Sequence, residues 1–132
     1  MNVTPISLNG EIIKIGNIIK DKHGKEPVVE YMKELAKSKS KDSRIKLNKI
    51  QDYIEVLRQF GTGAGEPYIK HIDEEIWELR PINNRILFAA WINGSFVLLH
   101  SFVKKTQKTP AREIDKAKRE LADIIERGIK FE

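Results

Sequence analysis

The stretch from residue 76 to residue 110 constrains the fold most, because three short apolar runs alternate there with turn residues. We predict strands over residues 76–80, 85–92 and 95–103. Asn93-Gly94 joins the last two runs, and this dipeptide favours a two-residue type I′ hairpin. These strands should therefore form an antiparallel sheet.

The pairing of these strands can be worked out by counting from the hairpin. With Ile92 opposite Ser95, Leu87 lies opposite His100 and Arg85 opposite Phe102. A turn at residues 81–84 then places Arg80 opposite Arg85 and Glu78 opposite Leu87. The first face is predicted to hold Glu78, Arg80, Arg85, Leu87, Ala89, Trp91, Phe96, Leu98, His100, Phe102 and Lys104. The second face is predicted to be the core face and to hold Trp77, Leu79, Ile86, Phe88, Ala90, Ile92, Val97, Leu99, Ser101 and Val103. We expect the charges of the first face to be exposed, and its apolar part to be covered by the first strand or by a helix.

Helical patterns flank the strands. We predict a first strand over residues 11–20 with a bend at Gly16 and a turn at 21–24, then a helix from Pro27. A polar link at 37–41 leads to a second helix, capped by Asp42 or Ser43 and ended by residues 61–65. A third helix starts at Thr109-Pro110 and stops at Gly128. The predicted fold class is α+β, an antiparallel sheet packed with an N-terminal helical hairpin and a C-terminal helix.

Composition limits the possible functions. The chain has 132 residues, about the length of one domain, so we expect a single domain spanning 1–132. The lack of cysteine excludes disulfides, thiolate catalysis and cysteine-based metal sites. We find neither a secretory signal nor a membrane-spanning run, so we expect a soluble cytoplasmic protein without a membrane partner. The net charge of +5 favours a polyanionic partner.

A cluster of fixed cations can bind a phosphodiester and stabilise the charge that develops during its transfer, without a metal or cofactor. In RNA the neighbouring 2′-hydroxyl provides the nucleophile. We assign Arg80 and Arg85 as clamps because a guanidinium contacts two phosphate oxygens at once. Lys104 or Lys105 is the first candidate for proton transfer, with His100 and Glu78 as secondary candidates.

Each assignment has a structural alternative. Arg80, Arg85 and Glu78 could form only cross-strand ion pairs, and His100 could be a packed core histidine. Residues 104–108 could be a solvated loop, and 73–75 an acidic turn rather than a metal site. Residues 61–65 follow a helix, which favours a helix stop over a phosphate-binding loop. The three histidines show no zinc-like spacing.

Several segments together resemble the phage-derived HigB-like branch of the RelE toxin superfamily. They are Pro67-Tyr68-Ile69-Lys70-His71-Ile72, Ile76-Trp77-Glu78-Leu79-Arg80, Arg85-Ile86-Leu87-Phe88, and residues 98–110, which include Phe102-Val103-Lys104-Lys105-Thr106-Gln107-Lys108-Thr109-Pro110. The resemblance extends from about Phe60 to Lys118. It implies a compact RelE-like α+β fold and a toxin that cleaves messenger RNA at the ribosomal decoding site. It also implies a cognate helix-turn-helix antitoxin, with operator DNA bound only through the antitoxin complex.

The resemblance also assigns individual residues. Arg80 and Arg85 match the basic positions of the central strands, and Lys104 or Lys105 matches the basic position after the last long strand. From the same segments we assign RNA-binding roles to Tyr68, Lys70 and Lys108. The chain departs from some superfamily members in lacking a late tyrosine and extra lysines on the central strand. A non-catalytic RNA-binding or antitoxin-binding module is therefore the alternative, and a transcriptional regulator acting alone is a third possibility.

Overall fold

The computed structural model describes residues 6–8, 11–13, 27–90 and 96–126. Two short strands, β1 (Ile6–Leu8) and β2 (Glu11–Ile13), pair antiparallel near the N-terminus. The predicted first strand therefore starts at the expected residue, but β1 was not predicted. The rest of that strand, the bend at Gly16 and the turn at 21–24 lie outside the described residues.

A helical hairpin follows, as predicted. Helix α1 (Pro27–Lys37) and helix α2 (Lys41–Phe60) pack on each other and are joined by a three-residue polar link. The predicted cap of α2 is wrong. Ser40 holds the N-cap position, and its side-chain oxygen accepts a hydrogen bond from the Ser43 backbone N–H at 3.1 Å. Asp42 lies inside the first turn instead.

Helix α2 ends at a glycine, also as predicted. Gly61 has a positive φ of 61°, and its N–H donates to the Leu57 carbonyl. A short 3-10 helix, Gly61–Ala64, continues from there. Residues 61–65 therefore act as a helix stop, and the 3-10 turn replaces the open glycine-rich passage expected from the sequence.

The main sheet has four antiparallel strands in the order β3 (Ile69–Asp73), β4 (Ile76–Leu79), β5 (Asn84–Ala90) and β6 (Phe96–Val103). Strand β3 was not predicted, whereas the turn after it at residues 74–75 was. The pairs Glu78–Leu87, Leu87–His100 and Arg85–Phe102 confirm the predicted register. The Asn93-Gly94 turn lies outside the described residues.

A β-bulge changes the pairing in the second half of β5 and β6. The register shifts between Leu87 and Phe88, so that Phe88 lies opposite Leu98 rather than Leu99. The predicted faces of four residues are therefore wrong. Phe96 and Leu98 pack with the core that contains Phe88, whereas Val97 and Leu99 pack with the core that contains Leu87.

Both faces of the sheet are covered. Helices α1 and α2 bury one face through Val28, Val29, Met32, Leu35, Leu47, Ile50, Ile54 and Leu57, which pack on Ile69, Leu79, Ile86, Phe88 and Leu98. Helix α3 (Ala111–Glu126) buries the other through Ala117, Leu121 and Ile124, which pack on Ile76, Leu87, Ala89, Val97 and Leu99. The predicted α+β class is confirmed, with the sheet as the middle layer.

Helix α3 also corrects the prediction of an exposed cationic face. The helix lies across that face and contacts His100, which is buried, and Glu78 and Arg85 are buried as well. The predicted helix start at Thr109-Pro110 agrees with the structure to within two residues, and the predicted stop at Gly128 lies outside the described residues. None of the helices in the described part of the chain is long and apolar enough to cross a membrane.

Candidate functional site

Glu78 is the centre of a charged cluster on the α3 side of the sheet. Its Oε1 atom lies 3.4 Å from Arg80 Nε and 3.6 Å from Arg85 Nε. Its Oε2 atom accepts a hydrogen bond of 2.5 Å from the Thr109 hydroxyl. The Glu78 carboxylate therefore contacts the guanidinium groups of Arg80, directly after β4, and of Arg85, in β5. It also contacts the segment that precedes α3.

Arg85 is held from several sides. Its Nη1 atom donates to the carbonyls of Ile82 and Asn84, each at 2.8 Å, and only 7% of its side chain is exposed. Burial lowers the pKa of the Arg85 guanidinium, and the neighbouring Glu78 charge partly opposes that effect. A buried cation needs a paired anion, so the charge of Glu78 is what allows the Arg85 guanidinium to be buried here.

Arg80 is the more accessible of the two arginines. Its side chain is 21% exposed, and its Nη1 atom also lies 3.8 Å from Glu66 Oε1. Its backbone N–H donates to the Tyr68 carbonyl at 3.0 Å, which fixes the residue beside the start of β3. Arg80 and Arg85 thus lie on the same side of the sheet, as predicted, and the ion-pair alternative describes their geometry correctly.

His100 is a packed histidine. It is 2% exposed, its Nδ1 atom hydrogen-bonds Glu120 Oε1, and its Nε2 atom lies 3.4 Å from Glu113 Oε1. Both carboxylates belong to α3. The side chain predicted to stand on an open face therefore fastens that helix to β6.

A groove of about 670 Å³ opens between the end of β6 and the start of α3. It is lined by Phe102, Val103, Lys105, Thr106, Lys108, Thr109, Pro110, Ala111, Arg112 and Glu113. Lys105, Lys108 and Arg112 are exposed and basic. Since Thr109 lines the groove and also contacts Glu78, it connects the groove to the arginine cluster.

The remaining predicted residues lie around these two features. The Lys104 N–H donates to the Asn83 carbonyl at 2.7 Å, which places the start of the basic loop beside the turn between β4 and β5. Lys70 is exposed, and its backbone lies opposite that of Glu78 in the β3–β4 ladder. Tyr68 packs edge-on against Tyr53, with ring centroids 5.1 Å apart.

Sequence reasoning missed Thr109 and Arg112 as site residues. Thr109 was read only as a helix start, because Thr-Pro is a common N-terminal pair and its contact with Glu78 spans 31 residues. Arg112 lies in the first turn of α3, where the helical pattern alone does not show that it borders a groove.

The family described as Phage derived protein Gp49-like matches residues 30–122, from α1 to most of α3. The chain belongs to the Gp49-like family. Every candidate site residue lies inside the matched range, and the match supports the phage-derived part of the resemblance. No curated protein gives a significant match.

Proposed function

We propose that this Gp49-like protein is the toxin of a type II toxin-antitoxin system, a RelE/HigB-like endoribonuclease that cleaves messenger RNA on the ribosome. Support comes from the Gp49-like family and from the sequence segments that resemble the HigB-like branch. The observation that carries the proposal is the Thr109–Glu78 hydrogen bond, which places a basic groove next to the two arginines.

In this proposal the groove binds the RNA backbone and the cluster acts on one phosphate. Lys108 and Arg112 contact phosphates that flank the scissile bond. Arg80, the more exposed arginine, contacts two non-bridging oxygens of the scissile phosphate and stabilises their charge. Arg85 acts through Glu78, whose carboxylate it holds in place.

The reaction needs no metal. The 2′-oxygen forms a bond to phosphorus while the bond from phosphorus to the 5′-oxygen breaks, which leaves a cyclic phosphate and a free 5′-hydroxyl. A base takes the proton of the 2′-hydroxyl and an acid protonates the leaving oxygen. We assign the acid to Lys104 or Lys105, whose ammonium group protonates the leaving 5′-oxygen, and water is the base that takes the 2′-hydroxyl proton. His100, which lies under α3, is assigned to holding that helix on the sheet.

The partners follow from the same proposal. They are messenger RNA on the ribosome and a helix-turn-helix antitoxin, with operator DNA bound only through the toxin-antitoxin complex. A ribosome-dependent activity places the protein in the cytoplasm. Tyr68 and Lys70, at the start of β3, provide further RNA contacts beside Arg80.

Primer extension on a translated message tests the proposal directly. Induction of the protein should stop growth and produce new 5′ ends in translated messages, with none in the same RNA when ribosomes are absent. Thr109→Val removes the hydroxyl at nearly constant shape and should reduce cleavage at least about tenfold. The matched variant Thr109→Ser keeps the hydroxyl and should retain activity.

Two results would contradict the mechanism. Cleavage of free RNA at the same sites would remove the dependence on the ribosome. Equal activity of the Thr109→Val and Thr109→Ser variants, both folded by circular dichroism, would disconnect the groove from the cluster.

The second candidate is a non-catalytic RNA-binding or antitoxin-binding module. The burial of Arg85 and His100 favours it, because very little of either side chain is open to RNA. It predicts that the protein cosediments with ribosomes while no new RNA ends form.

A further inference from the structure

The positive charge of the chain is concentrated at one end of the helical hairpin. Residues 33–49 contain seven lysines and arginines and two carboxylates, a net +5 that equals the formal net charge of the whole chain. The other 115 residues carry 17 cations and 17 carboxylates. The excess that favours a polyanionic partner thus comes from the hairpin and not from the groove.

We call this surface the hairpin tip and define it as Lys33, Lys37, Lys39, Lys41, Arg44 and Lys49. All six side chains are exposed. They lie at the end of α1, in the polar link and in the first turns of α2. The buried residues of the same turns, Leu35, Leu47 and Ile50, point to the core, so the cations occupy the outward side.

The hairpin tip is largely free of neutralising partners. In residues 27–90 and 96–126, the ion pair found in this segment joins Lys46 to Asp42 at 3.2 Å, and Lys46 is not one of the six. Unpaired, exposed cations close together raise the local positive potential. Such an arrangement costs stability through self-repulsion unless an anionic partner binds there.

We propose that the hairpin tip binds the phosphate backbone of double-helical RNA, as a second RNA contact separate from the groove. The hairpin packs on the opposite face of the sheet from α3, so the two surfaces belong to different layers. The binding of a nucleic-acid backbone follows from the charge, whereas the choice of RNA over DNA rests on the proposed function. Folded ribosomal RNA would present such a backbone to a toxin whose groove holds the message.

The side chains at the tip fit a phosphate backbone better than a lipid surface. Binding to lipid requires an apolar helix face that can enter the bilayer. The apolar faces of α1 and α2 are buried in the core, and Ile45, at 44% exposure, is the one large exposed hydrophobic residue recorded for residues 33–49. Long lysine and arginine side chains supply phosphate contacts that are independent of base sequence.

The test uses two variants of the full chain with the same change in charge. Lys41→Gln/Arg44→Gln alters the hairpin tip, and Lys116→Gln/Arg119→Gln alters exposed residues with the same spacing on α3. Both variants lower the formal net charge from +5 to +3. Binding to a labelled RNA duplex of about 16 base pairs is measured between 50 and 200 mM salt, with thermal melting as a check on folding.

The hairpin-tip variant should bind at least about tenfold more weakly at 100 mM salt. Its plot of log K against log salt should be shallower by about 2, because roughly one unit of slope is lost with each phosphate contact. The α3 variant should bind like the unmodified protein. Equal losses in the two variants, or no loss in either, would overturn the proposal.

Two further probes decide the chemistry of the partner. Tighter binding to a DNA duplex of the same sequence, or tip-dependent binding to anionic vesicles in place of RNA, would overturn the choice of RNA. Failure of this proposal can be told apart from failure of the proposed function, because the assay measures duplex binding and does not depend on RNA cleavage. A protein that binds the duplex through the tip but cuts no message refutes the nuclease alone.

Discussion

Removal of the Glu78 charge should destabilise this protein far more than removal of an exposed carboxylate. The Glu78 and Arg85 side chains are 3% and 7% exposed, and Arg80 shares the same carboxylate. Loss of one partner from a buried pair costs about 3–5 kcal/mol. Because Arg80 is partly solvated and Arg85 keeps two carbonyl contacts, we expect about 3 kcal/mol for Glu78→Gln.

Urea unfolding followed by circular dichroism provides the measurement. Glu75→Gln is the matched control, because Glu75 is an exposed residue in the turn directly before β4, and it should change the free energy of unfolding by less than about 0.5 kcal/mol. Arg85→Met added to Glu78→Gln should recover part of the loss, since fewer buried charges then stay unpaired. A Glu78→Gln variant within 1 kcal/mol of the unmodified protein would refute the reasoning.

Three other changes test local features. Gly61→Ala should cost about 1–3 kcal/mol because of its positive φ, whereas Gly63→Ala, whose added Cβ meets no atom within 4 Å, should cost much less; thermal melting compares them. Ser40→Ala should cost about 1 kcal/mol through loss of the α2 cap, measured by urea unfolding. Hydrogen bonds from Arg58 lower the pKa of Glu55. The ionised Glu55 therefore makes a small contribution to stability, which is present above the ordinary glutamate pKa of about 4.3 and is lost as pH falls through the lowered pKa. Glu55→Gln should therefore weaken the pH dependence of unfolding in that acidic range, and an unchanged profile would contradict this.

The sequence was sufficient to predict the helices and most of the sheet, because apolar periodicity is a local signal. Strict alternation around Glu78 and Leu87 fixed the register of β4 and β5. The residues from Phe96 to Leu99 are all apolar, so either face could bury them and the bulge left no trace in the pattern. Strand β3 was missed because Ile69–Asp73 mixes charged and apolar residues over only five positions.

The candidate site was predictable only in part. Alternation along the strands was enough to bring Arg80 and Arg85 to one side of the sheet. The burial of Arg85 and His100 was not predictable, because the apolar stripe of α3 does not indicate which sheet face it covers. The Thr109 contact with Glu78 depends on where α3 docks, and that is a property of the whole fold rather than of either segment.

The bulge gives the two halves of β6 opposite parity. Up to Leu99, the odd-numbered residues Val97 and Leu99 face α3. From His100 onward, the even-numbered residues face α3. Deletion of Leu99, the residue without a partner on β5, would straighten the ladder and leave Phe96 beside its edge-on partner Phe88, 5.7 Å distant, because Leu98 would then follow His100 in regular alternation. The extra residue thus gives the core under α3 one more apolar side chain, and a strand without it would keep its other side chains on their present faces.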